Sequence, residues 1–331
     1  MKSVTVGVLG AGRIGKLRVE NILRMRGARV KTVADPFMDE TWARDLALNA
    51  TLNPEEIFSD PQIEAVIICS PSELHTEQVI KAALSGKHVF CEKPIALDPD
   101  RIEKALKIVR QQGVKLQVGF NRRFDADFMS LKTAVTSRKI GSVHIIKITS
   151  RDPSPPPVEY VQTSGGIFLD MAIHDFDMVR YLSGSEVEQV YAAGSVLVDS
   201  AIGIAGDVDT AITSMRLKSG ALAVIDNSRK AVFGYDQRIE VFGSRGSMVA
   251  GNRTPTETVL STEEGVVADK PLHFFVERYR ESYKKEIREF FKAIREDSDP
   301  PVTGRDGLLA IQIGLAAKQS LQENRLVMLQ T

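Results

Sequence analysis

VTVGVLGAGRIGKLRVENILRMRGARVKTVAD, residues 4–35, decides the fold class. It opens on VTVGVLG (4–10), apolar on both parities, as a strand covered on both faces requires. Gly10, Gly12 and Gly15 follow in the order G-x-G-x-x-G. A helix then runs through RIGKLRVENILRMRG, with Ile14, Leu17, Ile22 and Met25 as its apolar positions before Gly27. The second strand, ARVKTVAD (28–35), ends on Asp35, twenty residues after Gly15. A glycine string alone is weak evidence. Placed between a strand and a helix, with an acid at this distance, it is the pattern of a dinucleotide site.

The chemistry explains the pattern. The first glycine permits a tight turn, the second lets the backbone approach a pyrophosphate, and the third lets helix and strand pack closely. The helix N-terminus offers unpaired N–H groups to the phosphates. Gly10, Gly12, Arg13, Ile14 and Gly15 are therefore the candidate cofactor loop. Asp35 can accept both ribose hydroxyls of NAD and would repel a 2′-phosphate at close range. Arg13 pulls the other way, since a guanidinium near that ribose could accept the phosphate. The reading favours NAD.

Outward from this unit, EAVIICS (64–70), HVFCEK (88–93) and KLQVGF (115–120) read as further strands. HTEQVIKAALSG and DPDRIEKALKIVRQQG lie between them, both amphipathic and both ending in Gly, the usual residue past a helix C-terminus. Strand–helix alternation of this kind makes residues 1–120 an α/β domain, a doubly wound parallel sheet of the Rossmann type. The opening MKSVTVGVLGAG has no long apolar core and no cleavage-like site, so it reads as a first strand rather than a signal peptide. No stretch is long and apolar enough to span a bilayer. The expected location is the cytoplasm.

Past residue 120 the pattern changes. VHIIKITSRD, VEQVYAAGSVLV, DTAITSMRLKSGALAVIDNS and RIEVFGSRGSMVAG read as strands with little helix between them. In TAITSMRL, Ala211, Met215 and Leu217 share one parity, and Thr210, Ser214 and Arg216 the other. Half-buried antiparallel strands alternate this way, and KSG (218–220) fits a hairpin turn. DPSPPPVEYVQTSGG (152–166) is Pro-rich and reads as a surface loop with polyproline stretches. Two helices close the chain, RYRESYKKEIREFFKAIRED and GRDGLLAIQIGLAAKQSLQE. Residues 121–331 are thus expected to form a second α/β domain with an open, mostly antiparallel sheet. A one-sided sheet needs a cover, which points to self-association.

The chain has 331 residues, with 43 basic and 43 acidic side chains. That balance offers no general attraction to nucleic acid or anionic lipid. Cys69 and Cys91 form no CxxC pair, so neither a zinc site nor a disulfide framework is indicated. They fit two small core residues in a reducing compartment.

Two further features carry chemistry. Lys93 ends HVFCEK, and ligands of open parallel sheets bind beyond the carboxyl ends of strands. Pro94 fixes its own φ and restricts the residue before it, holding Lys93 extended. A surface lysine beginning a loop would look the same. TSGGIFLDMAIHDFDMVRYLSG (163–184) reads as one helix, started by Ser164 and the glycines and stopped at Ser183–Gly184. Leu169, Ala172, Ile173, Phe176 and Val179 make its apolar face. Asp170 and His174 are four apart and so lie on one side. A carboxylate can orient an imidazole, and an imidazole is suited to taking a proton from an alcohol. Asp175 and Asp177 sit on the same helix, and His75 and His88 compete as bases. A single DxxxH pair lacks the third ligand of a zinc site, so no metal is expected.

GVLGAGRIG, SPSELHTEQVIKAALSGKHVFCEKP and GGIFLDMAIHDFDM together resemble the Gfo/Idh/MocA oxidoreductases, along the whole chain. GKHVFCEKP is far more specific than any glycine loop, and GFNRRFD and SRDP add to the likeness. The resemblance implies NAD-dependent oxidation of a ring hydroxyl of a cyclic polyol, with myo-inositol first among them. A sugar or other polyol dehydrogenase on the same scaffold, and a non-catalytic NAD-sensing regulator, are the alternatives. It implies that Lys93 binds the reacting hydroxyl and the nicotinamide ribose, that His174 is the general acid/base, and that Asp170 tunes it. It also implies that Ser70, His75 and Glu92 flank the cofactor, and that Asn121, Arg122, Arg151, Asp152 and Tyr235 border the polyol. Around TSRDPSPPP some relatives carry a histidine or asparagine where this chain has Arg151 and Asp152. The C-terminal sheet would be the interface of a homotetramer.

Overall fold

The computed structural model describes residues 3–329. Residues 1, 2, 330 and 331, the outer ends of the two expected domains, lie outside the described residues, as does the MK of the opening strand. Two compact units emerge. One takes the described residues up to Asn121 together with Glu281–Ile311, the other Arg122–Arg280 and the described residues from Gln312 on.

The first unit is built on β1 (Val4–Leu9), β2 (Ala28–Ala34), β3 (Asn49–Thr51), β4 (Ala65–Ile68), β5 (His88–Cys91) and β6 (Leu116–Val118). All pair in parallel, in the order β3-β2-β1-β4-β5-β6. This is the doubly wound Rossmann sheet, and β1 and β4 are buried on both parities as the sequence requires. Its helices include α1 (Arg13–Leu23), α2 (Glu40–Asp45), α3 (Glu55–Ser59), α4 (Ser72–Leu84) and α5 (Pro99–Gln112). α5 shows how local chemistry sets its ends: Asp98 caps its N-terminus, Pro99 opens it, and Gly113 closes it at φ 65°. β3, α2 and α3 were not anticipated, because three to six residues hold too little periodicity to read.

The inward face of α1 differs from the expected one. Ile22 is buried, but Ile14, Leu17 and Met25 are only half-buried, and Arg18 sits fully buried at the centre. The helix Arg280–Glu296 returns late in the chain to this unit. Its Ile287, Phe290 and Phe291 join the core of Val6, Val8, Val19, Ile22 and Phe90.

The second unit carries β7 (Val143–Arg151), β8 (Val187–Ser195), β9 (Thr210–Leu217), β10 (Leu222–Ser228), β11 (Asp236–Gly243), β12 (Gly246–Ala250), an outlying hairpin of β13 (Val259–Thr262) and β14 (Gly265–Ala268), and β15 (Val327–Met328). Its main sheet runs β12-β11-β7-β10-β9-β8-β15. The β7–β10 pair is parallel and the others antiparallel. β9 alternates as read, with Ala211, Met215 and Leu217 buried and Ile212, Ser214 and Arg216 exposed.

Two expectations in this unit need correction. The stretch 152–166 is not all loop, since the helix Val158–Ser164 follows Pro157, whose fixed φ and missing N–H suit a helix start. Nor is 163–184 one helix. Ser164 ends the preceding helix, Gly165 and Gly166 break the chain at φ 88° and 80°, and a π-helical turn, Ile167–Met171, leads into the helix Ile173–Ser183. Gly166 has to be glycine, because a Cβ there would lie 2.6 Å from the Asp207 carboxylate. The expected apolar face is buried, but so are Ile167, Met171, Asp175, Asp177, Met178 and Arg180. Ion pairs with Arg122 and Arg123 allow the acids to face inward.

Candidate active site

All strands of the first sheet run the same way, so the residues after β1, β2, β4 and β5 lie along one edge. Gly10, Asp35, Ser70 and Lys93 are therefore brought to a common side, with the strand order reversing between β1 and β4. The glycine loop has the shape a pyrophosphate needs. A Cβ on Gly10 would meet the Cys69 carbonyl at 2.6 Å, and one on Gly15 would sit 2.0 Å from the Gly10 oxygen. Around Gly12 no protein atom lies within 4 Å of a built Cβ. Gly12 caps α1 without a side-chain bond, and no acid occupies the first turn. The bare helix start beside an open glycine fits a dinucleotide phosphate. Arg13 is exposed there and Ile14 half-buried.

Asp35 is pinned to this loop. Its Oδ2 accepts from the Ala11 amide at 2.5 Å and its Oδ1 from Phe37 at 2.7 Å. Ser70 Oγ donates to Gln78 at 2.6 Å. His75 is buried, its Nδ1 2.7 Å from the Pro94 carbonyl and its Nε2 2.8 Å from that of Ser70. Burial pushes this imidazole below the usual histidine range, against the two carbonyls, which favour the charged ring because a neutral one can donate to only one of them. Glu92 is held by Arg18, whose Nε and Nη2 donate at 2.8 and 2.6 Å, while Nη2 also reaches Glu286 at 2.6 Å. The Lys93–Pro94 peptide is cis, and Lys93 is half-buried just past the end of β5. Asn121 is buried, its amide nitrogen without a hydrogen-bond partner among the described residues.

In the second unit, from Gly166 to Arg180, only Asp170 and His174 are not buried. They flank the junction of π-turn and helix, where the Ala172 amide donates five residues back to Ile167. Asp170 Oδ1 accepts from the Tyr160 hydroxyl at 2.9 Å, and its Oδ2 lies 3.5 Å from Arg229 Nη1. The same Nη1 is 3.5 Å from Asp152. Asp152 is pushed up to about 6, by burial first and by the Asp170 charge, with Arg229 opposing. Arg122 is turned into the interior, donating to Asp175 at 2.5 Å and to Ser150 at 3.3 Å. Arg151 pairs with Asp226 and lies 3.5 Å from Asp236. Tyr235 is buried edge-on to Tyr279 at 6.1 Å. The structure thus joins Asp152 and Asp170 through Arg229, and sends Arg122 and Arg151 to other carboxylates. Arg229, Tyr160 and Arg18 were missed, since no spacing rule marks a lone arginine after a strand, a tyrosine in a Pro-rich stretch, or a charge on an inward helix face.

No group of three or more His, Cys, Asp or Glu among the described residues is placed to hold a metal ion. Among them no helix is long and apolar enough to cross a membrane.

A parallel sheet with a phosphate-ready glycine loop at its switch point, followed by an open-sheet unit presenting an acid and an imidazole, defines a dinucleotide-dependent oxidoreductase. Residues 4–120 match the NAD-binding Rossmann fold of the Gfo/Idh/MocA oxidoreductase family, and residues 132–329 its C-terminal alpha/beta domain. The chain belongs to this family. It is similar to the myo-inositol 2-dehydrogenase of Thermotoga maritima, 49% identical over 98% of this chain and 98% of the relative. It is also similar to the inositol 2-dehydrogenase of Rhizobium meliloti, 45% identical over 98% of each. The crystal structure of scyllo-inositol dehydrogenase from Lactobacillus casei with bound NAD(H) and scyllo-inositol superposes with a TM-score of 0.92 at 30% identity, covering 99% of each chain.

Proposed function

We propose that this chain is an NAD-dependent dehydrogenase that oxidises a ring hydroxyl of a cyclic polyol, converting myo-inositol to 2-keto-myo-inositol (scyllo-inosose) in inositol catabolism. The likeness to inositol dehydrogenases along nearly the whole of both chains supports the substrate. The observation that carries the chemistry is the pair Asp170 and His174, alone unburied along an otherwise buried segment.

The loop Gly10–Gly15 holds the pyrophosphate, and Asp35 the adenosine ribose, which selects NAD over NADP. Ser70 flanks the cofactor, and His75 and Glu92 act there through the backbone and side chains they hold. The bound nicotinamide supplies the redox chemistry, accepting a hydride from the carbinol carbon. Lys93 donates to the reacting oxygen and steadies its developing negative charge. An imidazole nitrogen of His174 takes the hydroxyl proton, and Asp170 orients that ring. Asn121, Arg122, Arg151, Asp152 and Tyr235 border the polyol, with Arg122 and Arg151 shaping it through the carboxylates they grip. Residues 1–120 serve as the dinucleotide-binding domain and 121–331 as the substrate and oligomerisation domain of a cytoplasmic homotetramer.

A second reading is oxidation of scyllo-inositol, favoured by the bound ligand of the Lactobacillus casei neighbour. Appearance of NADH with myo-inositol, scyllo-inositol and a sugar panel, run with NAD and NADP side by side, tests both. Turnover of myo-inositol with NAD is expected. No turnover of any polyol or sugar despite NAD binding would leave a sensor instead. Lys93→Ala and His174→Ala should each lower kcat about 10²–10⁴-fold. Near-normal turnover in both would remove the assigned roles.

A further inference from the structure

We propose that Arg229 is a positioning residue of the dehydrogenation, its buried guanidinium shared between Asp170 and Asp152 so that Asp170 is held in place and its charge balanced beneath His174. This rests on the roles given above to Asp170 and His174.

Arg229 follows β10 directly, and its amide donates to the Asp209 carbonyl at 2.8 Å, which fixes where the side chain starts. The side chain is 3% exposed. A buried guanidinium is costly unless it is paired on several sides. Here Nη1 alone reaches carboxylates, Asp170 and Asp152, each at 3.5 Å, while Nε and Nη2 are buried with no hydrogen-bond partner among the described residues. A core arginine kept for stability normally has its fork filled. This one is left on the long side of both contacts, shared between two anions. The groups facing Asp170 include Tyr160 from the helix Val158–Ser164, Arg229 after β10 and Asp152 after β7, and His174 lies four residues on in the chain. Asp207, ahead of β9, also feels Arg229, and Arg122 feels Asp152. With Tyr160 on one oxygen of Asp170 and Arg229 on the other, the carboxylate is gripped at both ends and cannot turn freely.

Two charges of opposite sign in one cluster give a signed test. Removing the cation raises the proton affinity of its neighbours, and removing the competing anion lowers it. In pH profiles of kcat/KM, the acid limb set by the base should move up by about half a unit or more in Arg229→Met and down in Asp152→Asn. Arg229→Met should also lose about tenfold or more in kcat with KM for NAD unchanged, and Arg229→Lys should restore much of both. If Arg229→Met does not fold, Asp152→Asn and Arg229→Lys carry the test. Acid limbs unmoved in the folded variants, while His174→Ala abolishes turnover, would overturn the proposal and leave the roles of Asp170 and His174 standing. Full turnover in His174→Ala would overturn those roles themselves.

Discussion

Asp35 and Asp152 are both carboxylates at strand ends, yet their surroundings give them opposite characters. Asp35 accepts from two backbone amides, of Ala11 and Phe37, and stands half-buried. Asp35→Ser would remove the charge that repels a 2′-phosphate, and the ratio of kcat/KM with NADP to that with NAD should rise about tenfold or more, read from initial rates with each cofactor. An unchanged ratio would show that Asp35 does not set the preference. Asp152 is pushed up to about 6 by burial and by Asp170, against the pull of Arg229. A carboxylate whose folded pKa exceeds its unfolded one contributes stability below about pH 4 and loses it as pH rises through about 6. Asp152→Asn removes that loss. Relative to the unchanged protein, its stability should improve by about 2–3 kcal/mol between pH 4 and pH 7.5, since each unit of pKa is worth about 1.4 kcal/mol. Urea melts at the two pH values check this, and a constant difference would contradict the assignment.

At the scale of elements, α1 shows how a helix can bury a charge at its centre. Arg18 lies against the Phe90 ring at 4.5 Å and the Tyr283 ring at 4.9 Å, and its fork reaches Glu92, Glu286 and the Tyr283 carbonyl. This network ties α1 to the residue before Lys93. Breaking one member leaves an uncompensated buried charge, so Arg18→Met should cost about 3–5 kcal/mol by denaturant melts. A loss below about 1 kcal/mol would show that the network contributes little beyond its packing. Gly15 belongs to the same element, and its Cβ would overlap the Gly10 oxygen at 2.0 Å. Gly15→Ala should therefore push α1 off the loop and weaken NAD binding far more than it lowers stability, as titration of the folded variant would show. In the second unit, the π-turn Ile167–Met171 and the helix after it leave Asp170 and His174 half-buried within an otherwise buried segment, a property of the junction more than of either piece.

For the whole molecule, the outer face of the C-terminal sheet is the element left open. Opposed residues show it: Tyr191 faces Ser214, and Leu222 faces Arg216, with Tyr191, Ile212, Leu222 and Phe242 all exposed. If the proposed tetramer forms there, Ile212→Glu combined with Leu222→Glu should shift the mass seen by light scattering toward dimer or monomer with the fold intact by circular dichroism. An unchanged mass would move the interface elsewhere. The fold class was legible in the residues because strand–helix alternation and a strict two-residue period are local, and a glycine loop followed by an acid needs only thirty-two residues to declare itself. Asp170, His174, Lys93 and Asp35 were picked out as candidates for the same reason, each sitting in a short motif. The contacts of Arg18 and Arg229 were not legible, because their partners are distant in the chain: Glu286 for Arg18, Asp152 and Asp170 for Arg229. Local sequence determined the two architectures and the candidate chemistry. Tertiary structure decided which charges are buried, which carboxylate shares which guanidinium, and which residues along a buried segment stay open, since those depend on desolvation and on distances that no spacing along the chain encodes.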